Sequence, residues 1–242
     1  MTLSFAQLDI FLSIFQAIGD QNNIAFLPNA QIQASLFSAI FGIASQQFSG
    51  FSNEQWSKYF HYKFNLFLSS ITESQVQQIP LGISCAAFKS VISGLSSHYN
   101  ALNESAQTAC FQYAKTYLNV NKPPSGPACP ASSGGSGEWL QMNFALFSEI
   151  GTIEDIKDVY PGFIFTDAIA ELTAEQLGYY VANGQVLSEK AQVSKVMGGI
   201  TSATIEEFVD AFNKGMIMSG ITQITNIQVK KFLLGEIFCK LG

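Results

Sequence analysis

The chain contains no arginine; all twelve of its basic residues are lysines. It therefore lacks the planar fork that grips phosphate and carboxylate through two bonds at once. With eighteen acids against those lysines the net charge is −6, and an acidic surface repels nucleic acid and anionic lipid. Neither is expected as a partner. Charged residues make up only 12% of the chain, about half the usual share, so the wet surface must be built from Ser, Gln, Asn and Thr. Histidine is nearly absent: His61 and His98 are the only two, and neither has a metal-ligand partner three or four residues away. No GxSxG, P-loop, HExxH or Rossmann glycine pattern occurs. The adjacent carboxylates Glu154–Asp155 and Glu206–Glu207 diverge by about 100° on a helix and read as helix-start charges favoured by the macrodipole. No catalytic residue, metal or cofactor is expected.

Long apolar runs are missing too. The longest candidate, Ser35 to Ala44, is broken by Ser38 and is far shorter than the ~18 residues of a spanning helix, so no transmembrane segment is expected. Met1 to Ile18 has no basic n-region and does not read as a signal peptide. None of the four cysteines stands in a CxxC pair, which argues against zinc and thioredoxin-like chemistry. Their even number favours an oxidising, extracellular compartment.

What is present is uneven. Residues 1–53 carry only two charges, Asp9 and Asp20, and eleven of the 21 phenylalanines fall within residues 1–67. Residues 120–242 hold thirteen of the acids and eight of the lysines. Between a Phe-rich front and a conventionally charged rear lies NVNKPPSGPACPASSGGSG, Asn119 to Gly137, with four of the seven prolines. It can be neither helix nor strand, and Cys129 at its middle suggests that a disulfide ties it down. The reading is one all-α domain over residues 1–242, with a lobe at 1–118, a joint at 119–137 and a second lobe at 138–242.

The helices follow from periodicity and caps. Leu3, Phe5, Leu8, Phe11, Leu12, Phe15 and Ile18 recur near helical spacing, with Gln7, Asp9, Ser13 and Gln16 opposite. Such a helix either packs on the core or presents a detachable aromatic face to an interface. Residues 30–45, entered through Leu27–Pro28, are apolar almost all round, as a central core helix is. Ser52 with Gln55 forms a capping box for a helix running through Trp56, Phe60, Phe64, Phe67 and Leu68. Shorter helices are expected at Glu73–Gln78, from Ser84, from Asn103 or Ser105, and from Thr152. Thr173 with Gln176 caps AEQLGYYVANG, closed by Gly184. Ser188 to Met197, Thr204 to Met218 and Thr222 to Cys239 complete about ten helices. Period-2 strands are absent. Asn103-Glu104-Ser105 is the one glycosylation sequon.

Three segments, EQWSKYFHYKFNLFLSSI with ISCAAFKSVISGLSSHYNAL, EWLQMNFALFSEIGTIEDI and ELTAEQLGYYV, together resemble the repeat unit of large mesothelin-like extracellular proteins of fish and amphibians. A single secreted unit of this size is similar to the ranaspumin-like foam-nest surfactant proteins of frogs. The resemblance covers about residues 52–213, and so leaves out the Phe-rich N-terminus. It implies a disulfide between Cys85 and Cys129, which would leave Cys110 and Cys239 as a second pair. The residues themselves leave all three connectivities of four cysteines open. It also implies a secreted protein acting at the air–water interface, with other foam proteins or glycans as candidate partners. Residues 3–18 would adsorb first and the joint would let the lobes part. Two further expectations are an adhesion or interaction module of mesothelin-like type, and a carrier holding an apolar ligand among its helices.

Overall fold

In a computed structural model of the chain, the structure describes residues 3–22, 24, 29–133, 135–182, 187, 189–219 and 226–242, with backbone alone at 216–219. The described residues form twelve α-helices and no strand: α1 (Phe5–Gln21), α2 (Ala30–Ser45), α3 (Asn53–Lys58), α4 (Glu73–Val76), α5 (Cys85–Ser96), α6 (Glu104–Val120), α7 (Ser136–Phe144), α8 (Ile153–Val159), α9 (Ala174–Ala182), α10 (Lys190–Gly198), α11 (Ile205–Ser219) and α12 (Ile227–Leu241). The fold is all-α. No described helix is long and apolar enough to cross a membrane. The expected elements at Leu27–Pro28, Gly184, Ser188 and Thr222 lie outside the described residues.

Capping chemistry sets most of the helix starts. Ser52 accepts from the Gln55 amide while Gln55 Oε1 accepts from the Ser52 amide at 2.8 Å. Thr152 with Asp155 and Thr173 with Gln176 repeat that exchange. Each such box satisfies donors that a helix start leaves open. Of the two candidates for α6, Asn103 is the cap, its Oδ1 accepting from the Ala106 amide at 2.9 Å.

One helix departs from its expected course. The run predicted through Leu68 stays α-helical only to Lys58, then widens into a π-turn over Tyr59–Lys63. There the Phe64 amide donates to the Tyr59 carbonyl, five residues back, at 2.9 Å. The extra residue per turn brings Tyr59, Phe60 and Lys63 to the buried side together.

The chain divides into two compact units. The first comprises 1–130 and 141–150, the second 131–140 and 151–242. Composition had set the division at 118 and 138. The Pro-rich stretch is instead shared, because its first part is bound into the first unit. Cys129 is bridged to Cys85 in the first turn of α5, and Asn143 Nδ2 donates to the Cys129 carbonyl at 3.1 Å.

The core of the first unit is aromatic. Phe37, Phe41, Phe48, Trp56, Phe60, Phe64 and Phe67 are all buried and interlock mostly edge-on or tilted, for example Phe37–Phe64 at 5.5 Å and Phe48–Trp56 at 4.7 Å between centroids, with Phe37–Phe67 and Trp56–Phe60 stacked. Such pairs add about 1 kcal/mol each beyond the area they bury. In the second unit Trp139 packs on Tyr160 at 5.0 Å, and α9 crosses α11 at Gly178. A Cβ on Gly178 would fall on the Phe208 carbonyl oxygen and 2.9 Å from Ala211 Cβ. Since neither neighbour can move without shifting α11, Gly178→Ala is expected to cost about 3 kcal/mol through overpacking. A melting temperature within a degree or so of wild type would show that the two helices can part at no cost.

Candidate functional site

The Phe-rich front supplies the candidate site, because α1 is apolar on two opposite faces. Ser4 caps it, accepting from Gln7 in a capping box. Leu8, Leu12 and Gly19 point inward and are buried. Phe5 stands 5.8 Å from Tyr59 and 5.7 Å from Phe51, and Phe15 is 5.7 Å from Phe67. Phe11 tilts onto Phe15 at 5.1 Å. On the other side Leu3, Ile10, Ile14 and Ile18 are exposed, Ile10 at 61%. Successive steps of four place Ile10, Ile14 and Ile18 in one row, and Ala6 and Ala17 beside them are exposed as well.

The seven residues expected to meet an interface are therefore divided. Leu3 and Ile18 face solvent, Leu8 and Leu12 are buried, and Phe5, Phe11 and Phe15 are half-buried in ring contacts. The aromatic side of α1 is its packing side, since rings bury more area and the core beneath is made of rings. Ile10 and Ile14 complete the outward row. Their signal was present in the sequence as the i, i+4, i+8 isoleucine series, overshadowed by the denser aromatic one.

Charge holds the helix in place. Asp9 and Ser13, expected on the wet side, sit at the flank of α1 nearest the π-turn. Lys63 is buried, and its Nζ donates to the Asp9 backbone carbonyl at 2.8 Å and to Ser13 Oγ, and lies 3.2 Å from the Asp9 carboxylate. Tyr59 Oη donates to the same carboxylate at 3.1 Å, and Lys58 stands 3.8 Å from it. Burial works against ionisation of Asp9, but the hydrogen bonds from Lys63 and Tyr59 and the charges of Lys63 and Lys58 outweigh it and hold the carboxyl below its ordinary 3.8. Burial and the Asp9 charge push the Tyr59 phenol upward. A buried ammonium is tolerated only when fully paired, and three groups of α1 do the pairing. The outer residues of α2, from Gln31, Ile32 and Ala34 to Ser38, Ala39 and Gly42, are exposed and uncharged.

A second feature lies between α4 and α6, an open groove of about 680 Å³ lined by Glu73, Ile79, Leu81, Glu104, Thr108 and Tyr113 among others. Glu73 accepts from Ser105 across its end at 3.1 Å. Asn103, the exposed sequon residue, adjoins this lining.

The histidines are held within their own helical segments. His61 Nδ1 is 3.2 Å from Ser57 Oγ, with burial lowering its pKa, and His98 Nδ1 is 3.0 Å from Ser97 Oγ. Among the described residues no three His, Cys, Asp or Glu cluster as metal ligands would.

Of the two expected disulfides, Cys85–Cys129 is formed. The expected Cys110–Cys239 bridge is not, and both thiols are free. Cys110 is enclosed in the first unit, its thiol pushed up to about 12 by burial, whereas Cys239 is exposed on α12.

No family model, curated protein sequence or solved structure matches the chain. The functional reading rests on the geometry and on the residues.

Proposed function

We propose that this is a secreted surface-active protein that adsorbs at the air–water interface through the outer face of α1. The observation that carries the reading is the row Ile10, Ile14 and Ile18, with Leu3 just ahead of the helix, all exposed in the folded chain, on a helix whose one half-buried charge, Asp9, is turned aside to Lys63. That row exposes on the order of 400 Å² of apolar side chain, and removing it from water yields roughly 10 kcal/mol at about 25 cal/mol per Å². This is comparable with the ~5–15 kcal/mol that holds a domain folded. Adsorption therefore begins with the folded protein. Opening comes later, when α1 lifts, releases Phe5 and Phe15 from their ring partners beneath it and bares Phe11 with them. The Cys85–Cys129 bridge, which suits an oxidising extracellular fluid, keeps α5 and the Pro-rich stretch together meanwhile.

The test is dynamic surface tension by pendant drop, comparing wild type with Ile10→Gln/Ile14→Gln/Ile18→Gln. All three positions are exposed, so the variant keeps its fold, as circular dichroism checks. The wild type is expected to lower the tension rapidly and the variant to lag. An equal rate for both would remove α1 from the mechanism, and a wild type no better than an ordinary globular control would end the surfactant reading. The groove between α4 and α6 favours a second reading, a secreted interaction module taking a glycan or protein segment. That activity would need its ligand, whereas surface activity needs none.

A further inference from the structure

The last helix, α12, is also apolar on two faces. Val229, Leu233 and Ile237, at steps of four, are buried on the side that packs against α10 and α11. Lys240 Nζ donates to the Ile200 carbonyl at 2.7 Å, and Lys190 Nζ stands 5.6 Å above the Phe232 ring. These contacts account for one side alone. Ile227, Leu234, Phe238 and Leu241 are exposed, Phe238 at 69%. Positions 227, 231, 234, 238 and 241 are spaced four, three, four and three apart, the alternation of a coiled-coil seam, and exposed Lys231 fills the one polar place in it. The face is narrow and bordered by a second exposed lysine, Lys230. It has the form that fits another helix.

We infer that this seam pairs with the same seam of a second copy, antiparallel about a two-fold axis near Leu234. Charge selects the direction. Parallel pairing would set Lys230 and Lys231 level with their own counterparts, an unfavourable juxtaposition of like charges. Antiparallel pairing carries them to the C-terminal turns of the partner helix, where the macrodipole is negative and the ring of the partner's Phe238 offers its face to a cation. The same register sets Leu234 against the partner's Leu234 and Ile227 against the partner's Leu241. A Cβ on Gly235, one residue from the axis, would meet nothing within 4 Å, which leaves room for a close helix approach. Each face offers on the order of 400 Å² of side chain, so the pair buries about 800 Å². This is below the ~1,200 Å² of a stable interface, so pairing is weak and driven by concentration, as in a dense film.

Sedimentation velocity on the full chain, from about 1 µM to about 500 µM, tests this in bulk solution and independently of surface activity. A monomer–dimer transition is expected in the upper part of that range, and Phe238→Lys should move it at least about tenfold higher, a change of about 1.4 kcal/mol, with an unchanged circular dichroism spectrum. Orientation is read by oxidation with oxidised glutathione above the transition. The disulfide forms by two thiol–disulfide exchanges that release two glutathione thiols. Leu234→Cys in a Cys239→Ser background should cross-link. Native Cys239 should not, because antiparallel pairing leaves the two copies of it about 15 Å apart along the axis at ~1.5 Å per residue. A monomer at every concentration, a Phe238→Lys chain that associates like wild type, or cross-linking through Cys239 in preference to Leu234→Cys would each overturn the pairing.

Discussion

Cys129→Ser is expected to lower the unfolding free energy by about 4 kcal/mol, the largest loss from any single substitution considered for this chain. The bridge to Cys85 spans a sequence separation of 44, and closing a loop of that length removes about 4 kcal/mol of chain entropy from the unfolded state. A local strain that the bridge imposes offsets a small part of this. Cys129 has φ at +47°, a left-handed conformation that an L residue enters only when held there. The bridge and the Asn143 side chain hold it. Without the bridge the Pro-rich stretch should loosen from α5, while the stacked Phe88–Tyr117 rings, 3.9 Å apart, keep α5 on α6. Urea unfolding of the variant and of reduced wild type checks both. A midpoint within experimental error of oxidised wild type would mean that the loop is held by packing alone.

The second large effect concerns the docking of α1. Asp9→Asn keeps the shape of the side chain but leaves the Lys63 ammonium, only 5% exposed, without its counter-ion. Breaking a fully buried pair in this way costs about 3–5 kcal/mol. Asp9 is about one third exposed, so solvent screening reduces the figure to about 2 kcal/mol. The loss should be confined to α1 and read out as faster amide exchange over that helix, with the aromatic core beneath it unchanged. Asp9→Asn/Lys63→Met should recover most of the loss, because an apolar side chain needs no partner there. Equal exchange in wild type and Asp9→Asn would show that Leu8 and Leu12 hold α1 unaided.

Acid should act as Asp9→Asn does. The folded carboxyl is held below the unfolded 3.8. Its contribution is therefore fully present above the unfolded value and is lost as pH falls through the folded one. In bulk solution, away from any interface, release of α1 is accordingly an acid event, absent near neutral pH. At the interface Asp9→Asn should shorten the slow second stage of the tension decay, in which the Phe5, Phe11 and Phe15 rings come out, and leave the first stage unchanged.

These expectations depend on features of unequal legibility. Local signals are read well because their physics is local. The capping boxes at Ser52 and Thr173 each need only residues three apart, and both stand where the spacing put them, while the short helix expected from Thr152 starts there with a box of its own. The apolar run of α2 was legible as a helix but not as a surface one: it reads as central to the core, whereas only the side with Phe37, Ile40 and Phe41 is buried and Ile32, Ala34, Ala39 and Gly42 face water. Composition and periodicity alone thus determined an all-helical chain with a sparsely charged, Phe-rich front and a Pro-rich break carrying a cysteine.

Tertiary structure decided the rest, where two faces or two distant groups compete. In α1 both the aromatic and the isoleucine series keep helical spacing, and only the presence of Phe51, Tyr59 and Phe67 beneath it settles which is covered. Lys63 reaches Asp9, 54 residues away, because a π-turn rotates it inward, and a single inserted residue per turn leaves no mark in an apolar pattern. The fate of Cys110 and Cys239 followed from burial, one enclosed and one in water, which no spacing of four cysteines encodes. Periodicity shows that a residue is on a face. What that face meets is fixed by the packing of elements far apart in the chain.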